Sequence, residues 1–191
     1  LQQARRAWVV QWFQPGQVLA ALDEGAFGYR RVQTVDVPLG ADYAALYPEH
    51  PAVEVALFER PRFAADPLLF GEVLALHDAI LPPEVPPGGR LHVDLWWAAR
   101  APLSRDYSIG VYLLPLDADT VLAQDDAAPG GSATTTWAAG VAMYDRHTLA
   151  LPDDLPPGEY RVAVTVYWYG DMQPLAVEGG PRAVVGTVAV R

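Results

Sequence analysis

The chain contains no cysteine, which closes off a disulfide framework and any thiolate metal site. It has no lysine and no asparagine, and its 13 basic side chains, all arginine, face 23 acids. The resulting net charge of −10 argues against nucleic acid as a partner, because phosphate binding needs a basic footprint. It argues equally against anionic membrane surfaces, while leaving solubility, cation binding or a neutral ligand open. Long apolar runs are also missing: no stretch approaches the ~18 uninterrupted apolar residues of a membrane-crossing helix. The opening Leu1-Gln2-Gln3-Ala4-Arg5-Arg6 is too polar for a signal peptide and carries no initiator methionine, so the sequence reads as a piece of a longer protein.

What is present is a foldable, turn-rich chain. Of 191 residues 51% are apolar, with six Trp, nine Tyr and five Phe, enough to bury a core. The 18 Pro and 16 Gly punctuate it without any Gly-x-y period, which excludes collagen.

Two textures follow each other. Residues 1–62 are mixed. Val18, Leu19, Ala21 and Leu22 predict a short helix over Gln17 to Glu24, ending at Gly25. Strand-like pieces surround it at Trp8 to Phe13, Tyr29 to Val37 and Val53 to Phe58. Phe63 to Pro67 reads as a linker. Over residues 68–191 the period is two. Leu91, Val93, Leu95 and Trp97 alternate with His92, Asp94 and Trp96. Tyr107, Ile109, Val111 and Leu113 do so with Ser108, Gly110 and Tyr112, and Tyr160, Val162, Val164, Val166 and Trp168 with Arg161, Ala163, Thr165 and Tyr167. Weaker runs occur at Leu69 to Leu76, Val121 to Gln124, His147 to Leu151 and Val184 to Val190. Seven or eight short strands with Pro/Gly turns predict a mainly β domain, a two-sheet antiparallel β-sandwich of Ig-like or jelly-roll-like type, behind the smaller mixed α/β segment.

A string recurs: Leu81-Pro82-Pro83-Glu84-Val85-Pro86-Pro87-Gly88 and Leu151-Pro152-Asp153-Asp154-Leu155-Pro156-Pro157-Gly158. Each copy leads into a long strand ending in aromatics. Two copies are better explained by convergence on a turn that re-aims the chain than by duplication.

Trp96, Trp137, Tyr144 and Trp168 are the rings that stand out as ligand contacts, with Asp125, Asp126 and Asp145 as polar partners. Only one of Trp96 and Trp97 can point inward, so at least one large ring is expected on an outer face. Flat rings beside acids suit sugars, whose C–H groups stack while their hydroxyls need hydrogen bonds. The competing explanation is packing under the N-terminal segment or another domain of the parent protein. Asp117, Asp119, Asp125, Asp126 and Asp145 make a structural calcium the one cofactor to consider, although the Asp-x-Asp-x-Asp-Gly loop with its distal Glu is lacking. Asp125 and Asp126 are poorly suited to glycoside hydrolysis, because adjacent strand residues point apart. The four histidines, His50, His77, His92 and His147, have no zinc spacing, and Ser104, Ser108 and Ser132 sit in no nucleophile elbow. No catalytic residue and no metal ligand is assigned. Pro129 to Thr136 reads as a mobile loop.

The run Leu95-Trp96-Trp97, Asp106-Tyr107-Ser108-Ile109-Gly110-Val111, Gln124-Asp125-Asp126, Pro129-Gly130-Gly131, Thr136-Trp137, Gly140, Asp145 and Pro156-Pro157-Gly158-Glu159-Tyr160-Arg161-Val162 resembles a recurring bacterial module. It is similar to the soluble β-sandwich at the C-terminus of multi-spanning membrane glycosyltransferases of the protein-mannosyltransferase-like type, over roughly residues 68–191. The family's Thr-x-x-Trp is departed from, since Thr136 directly precedes Trp137. The resemblance implies a non-catalytic accessory domain at the extracytoplasmic face of a membrane, partnered by glycan or by its parent membrane domain. The alternative is a structural or protein-interaction sandwich with no ligand of its own.

Overall fold

The computed structural model describes residues 4–13, 16–63 and 65–191, which form two compact units, Leu1–Arg62 and Phe63–Arg191. In the first unit the order is β1 (Arg6–Gln11), α1 (Gln17–Asp23), β2 (Arg30–Pro38), α2 (Ala41–Leu46) and β3 (Ala52–Glu59). Strand β3 lies between β1 and β2 and is antiparallel to both, a split β-α-β arrangement. Helix α1 buries Leu19 and Leu22 with Tyr29, Ala56 and Phe58. It stops where Gly25 adopts a positive φ of 83°. Helix α2 is absent from the sequence reading for a physical reason: it is six residues long and buries none of them, so it leaves no apolar period.

The register places Trp8, Leu57 and Gln33 side by side, then Val10, Val55 and Val35, then Val53 and Val37, on the sheet face opposite the one that packs Ala56 and Phe58 against α1. Trp8, Val10, Val35 and Val37 are exposed there.

The second unit is a β-sandwich. Its strands are β4 (Leu68–Phe70), β5 (Leu74–Ile80), β6 (Glu84–Val85), β7 (Arg90–Ala99), β8 (Tyr107–Pro115), β9 (Ala123–Ala127), β10 (Ala142–Ala150), β11 (Gly158–Trp168) and β12 (Ala183–Val190). One sheet has the order β10-β7-β5-β4 and the other β6-β12-β11-β8-β9. Every pairing is antiparallel except that of the two-residue β6, which runs parallel to β12. The chain therefore changes sheets on entering and leaving β6, between β7 and β8, and on entering and leaving β10.

The alternation read from sequence sets the core. Leu91, Val93, Leu95 and Trp97 from one sheet meet Ile109, Val111, Leu113, Val162, Val164 and Val166 from the other. Burying such side chains stabilises by about 1.5–3 kcal/mol each. The two similar proline strings lie against one another: Gly88 donates its N–H to the Pro152 carbonyl at 3.0 Å, and Leu151 donates to that of Gly89 at 3.0 Å.

Pro129 to Thr136 is not an open loop, as its composition suggests, but two 3-10 turns, Pro129–Gly131 and Thr134–Thr136, tied down along their length. Thr134 Oγ1 accepts from the Tyr107 N–H at 2.9 Å and donates to the Arg105 carbonyl at 3.2 Å. Asp106 Oδ1 accepts from the N–H and hydroxyl of Thr135 at 2.9 and 2.8 Å. These bonds compensate for an ordering cost that a Gly/Ser/Thr stretch alone would not meet.

Candidate functional site

Residues of β8 and β11 whose side chains turn away from the core line a groove of about 780 Å³ on the outer face of the five-stranded sheet. The register explains its shape. One cross-strand row runs Asp126, Gly110, Thr165, and the next runs Gln124, Tyr112, Ala163, Val184. The small residues Ala163 and Thr165 form a floor, with Tyr112, Tyr167, Arg161 and Arg182 standing around it. A β-bulge in β12, between the partners of Val162 and Ala163, adds local bend. The β11–β12 connection supplies Met172, Pro174 and Pro181 to the rim, fixed where Thr165 Oγ1 donates to the Pro181 carbonyl at 2.6 Å.

At one end the hydroxyls of Tyr112 and Tyr167 both donate to Asp126 Oδ1, each at 3.1 Å. Burial, then the charge of Asp126, pushes the Tyr112 phenol from 10.0 up to about 12, and the Arg182 charge above its ring only partly opposes this. Burial and Asp126 raise Tyr167 as well. Both phenols therefore keep their protons at neutral pH and hold one carboxylate oxygen between them. Gly110 makes room for this: a Cβ there would clash with Tyr112 Oη and stand 2.6 Å from Asp126 Oδ1. The arrangement offers aromatic surface, fixed hydrogen-bond donors and a carboxylate acceptor, the equipment for holding a hydroxyl-rich ligand.

The sequence-predicted residues do not gather into one platform. Asp126 alone lines the groove. Asp125, one position earlier on β9, points the other way and meets His147 Nδ1 at 3.1 Å. His147 is fully buried, and its Nε2 stands 3.1 Å from Asp145 Oδ2. Burial lowers the imidazole pKa, but hydrogen bonds and charge from Asp145 and Asp125 outweigh it, so the pKa is raised. Asp145 Oδ1 also accepts from the Gly130 N–H at 2.9 Å. The Asp125–His147–Asp145 line joins β9 of one sheet to β10 of the other. With each carboxylate on a different ring nitrogen, it suits an imidazolium cation. Among the described residues, no group of three His, Asp or Glu side chains is placed to hold a metal ion.

The rings fall elsewhere. Trp137 is buried in the sandwich core and donates from Nε1 to Ser132 Oγ at 3.1 Å, so it offers no face to a sugar. Trp96 is also buried, its ring 5.3 Å from that of its register partner Tyr144 on the outer face of the four-stranded sheet. Tyr144 donates to Asp94 Oδ1 at 2.7 Å, which also takes Arg146 Nε at 2.7 Å. Trp168 ends β11 half-buried under Arg105, whose guanidinium is 4.4 Å from the ring centroid. These rings are thus packed against neighbours. Tyr112, Tyr167 and Arg182 line the groove but are not among the residues that the sequence singles out as ligand contacts. The available signal was Gly110 in mid-strand on the polar face, two residues before Tyr112.

No protein-family model matches the chain, and no curated protein sequence does. Among solved structures, the chain is similar to the C-terminal domain of Wzt, at 16% identity and a TM-score of 0.49, over 69% of this chain and 82% of that one. It is also similar to a Niemann-Pick type C2 protein from the Japanese carpenter ant, at 10% identity and a TM-score of 0.44, over 68% of this chain and all of that one. What the chain has in its own right is a mainly β architecture with a two-sheet sandwich.

Proposed function

We propose that the chain is a non-catalytic accessory module that binds glycan in the outer groove of its five-stranded sheet, within a protein-mannosyltransferase-like membrane glycosyltransferase at the extracytoplasmic face. The observation that carries the binding part is the Tyr112–Asp126–Tyr167 cluster: two protonated phenols and one carboxylate set in a groove floored by small side chains. The non-catalytic part is supported by the divergence of Asp125 and Asp126, since hydrolysis of a glycosidic bond needs two carboxyls facing one another. The glycosyltransferase context rests on the sequence resemblance alone. Calorimetric titration with an oligosaccharide panel tests the binding part. Millimolar or tighter binding that Asp126→Asn and the Tyr112→Phe/Tyr167→Phe double variant weaken at least tenfold supports it, and no heat from any sugar at 10 mM ligand (on the order of −2.7 kcal/mol of binding) overturns it.

A second reading, a docking module for its parent or a neighbouring subunit, is favoured by Trp8, Val10, Val35 and Val37, exposed together on one sheet face of the first unit. It predicts that Trp8→Ser/Val10→Thr abolishes association with the parent membrane domain while leaving sugar titrations unchanged.

A further inference from the structure

The charged groups of the groove differ in how fully they are occupied. Arg161 donates to the Pro115 carbonyl at 2.9 Å, the Ala118 carbonyl at 2.7 Å and Asp119 Oδ1 at 3.0 Å, so it and Asp119 are tied into the wall. Asp126 accepts a hydrogen bond from each phenol on Oδ1, which leaves Oδ2 as an acceptor. Arg182 is the exception. Its guanidinium lies 4.5 Å from the centroid of the Tyr112 ring, and among the described residues it makes no hydrogen bond or ion pair. A guanidinium held on an aromatic face with its N–H groups unoccupied is a receptor for an oxyanion, which it can take in two parallel hydrogen bonds.

We infer that the groove is built for an acidic glycan, with Arg182 taking an anionic substituent and Asp126 accepting a hydroxyl of the same or the adjoining sugar. Tyr112 joins the two positions, its ring under Arg182 and its hydroxyl on Asp126, so they stand a single tyrosyl ring apart. A sugar lying along that ring can offer an anion to one position and a hydroxyl to the other. The chain's overall charge of −10 opposes an anion at long range, but salt screens that repulsion beyond about 8–10 Å, whereas the partly enclosed contact at Arg182 is screened less. Acid specificity is then a local property of Arg182. The inference rests on the groove being a glycan site. Its anion has two chemical sources: a uronate carboxylate, or the phosphate of a sugar phosphate.

Titration of the whole chain with trigalacturonate, with its methyl ester, with galactose 1-phosphate, with galactose and with inorganic phosphate tests it. At least one acidic sugar is expected to bind ten times or more tightly than its neutral counterpart. Trigalacturonate over its ester identifies a carboxylate, and galactose 1-phosphate over galactose identifies a phosphate. Arg182→Gln is expected to bring the acidic form down to the affinity of its neutral counterpart in the same variant, with Arg182→Lys restoring part of the preference. Equal affinity for acidic and neutral forms overturns the acid specificity and leaves glycan binding standing. Inorganic phosphate binding as tightly as galactose 1-phosphate overturns the sugar requirement. No binding of any of the five overturns both. Circular dichroism of Arg182→Gln matching the parent chain keeps a loss of preference from being a loss of fold.

Discussion

Gly110 on β8 and Asp126 on β9 are register partners, and the missing side chain of the first is what lets the carboxylate of the second meet the Tyr112 hydroxyl. Gly110→Ala therefore acts on the groove before it acts on the fold. The added methyl displaces Tyr112 Oη and Asp126, at an overpacking cost of about 1–3 kcal/mol. A lowered denaturation midpoint together with at least tenfold weaker sugar binding is expected. Unchanged binding at a lowered midpoint would show that the Tyr112–Asp126 contact does not shape the site.

Tyr112 offers a spectroscopic handle. Ultraviolet titration of the parent chain is expected to show a phenol ionising near 12, held up by burial and by Asp126. In Asp126→Asn the burial remains and the charge goes, so the same ionisation moves down. An identical titration curve in the two proteins would mean that the carboxylate does not face the phenol in solution.

His147 makes stability depend on pH, with a sign set by its raised pKa. A group that binds its proton more tightly folded than unfolded contributes fully below its unfolded pKa, here near 6.5, and loses that contribution as pH rises through the folded value. Thermal melts are expected to show stability falling over that window, and His147→Gln to flatten the profile. Asp145→Asn, which leaves the buried ring with one carboxylate, should cost about 3–5 kcal/mol. A midpoint that rises from pH 6 to pH 8 would put the wrong protonation state in the interior.

Trp137 separates core from ligand contact. Trp137→Ala removes a buried ring and should cost about 3–5 kcal/mol in chemical denaturation. Sugar affinity of the fraction that remains folded is expected to stay within twofold of the parent. A large affinity loss with little destabilisation would return this ring to the binding surface.

Much of the fold is legible in the sequence because burial on one face imposes period two. Leu91 to Trp97 and Tyr160 to Val166 show it plainly, and both strands are central. Edge strands are harder to see: β10 shows only its His147 to Leu151 portion, since Asp145 and His147 carry polar groups into the interior where apolar ones are expected. The site is less legible still. Asp126 and Asp145 are close in sequence, yet β9 and β10 belong to different sheets, so one faces the groove and the other is buried beside His147. Tyr112 and Tyr167 converge only through the register of β8, β9 and β11, which no local pattern encodes. Trp96 and Trp137 attract notice by size, but large rings are what cores use most.

Amide chemical-shift mapping of the chain with a bound oligosaccharide tests the groove most directly. Perturbations confined to residues around Tyr112, Asp126, Tyr167 and Arg182, and absent in Asp126→Asn, are the predicted result. Perturbations centred on Trp8 and Val10 or on Tyr144, with the groove silent at saturation, would contradict it.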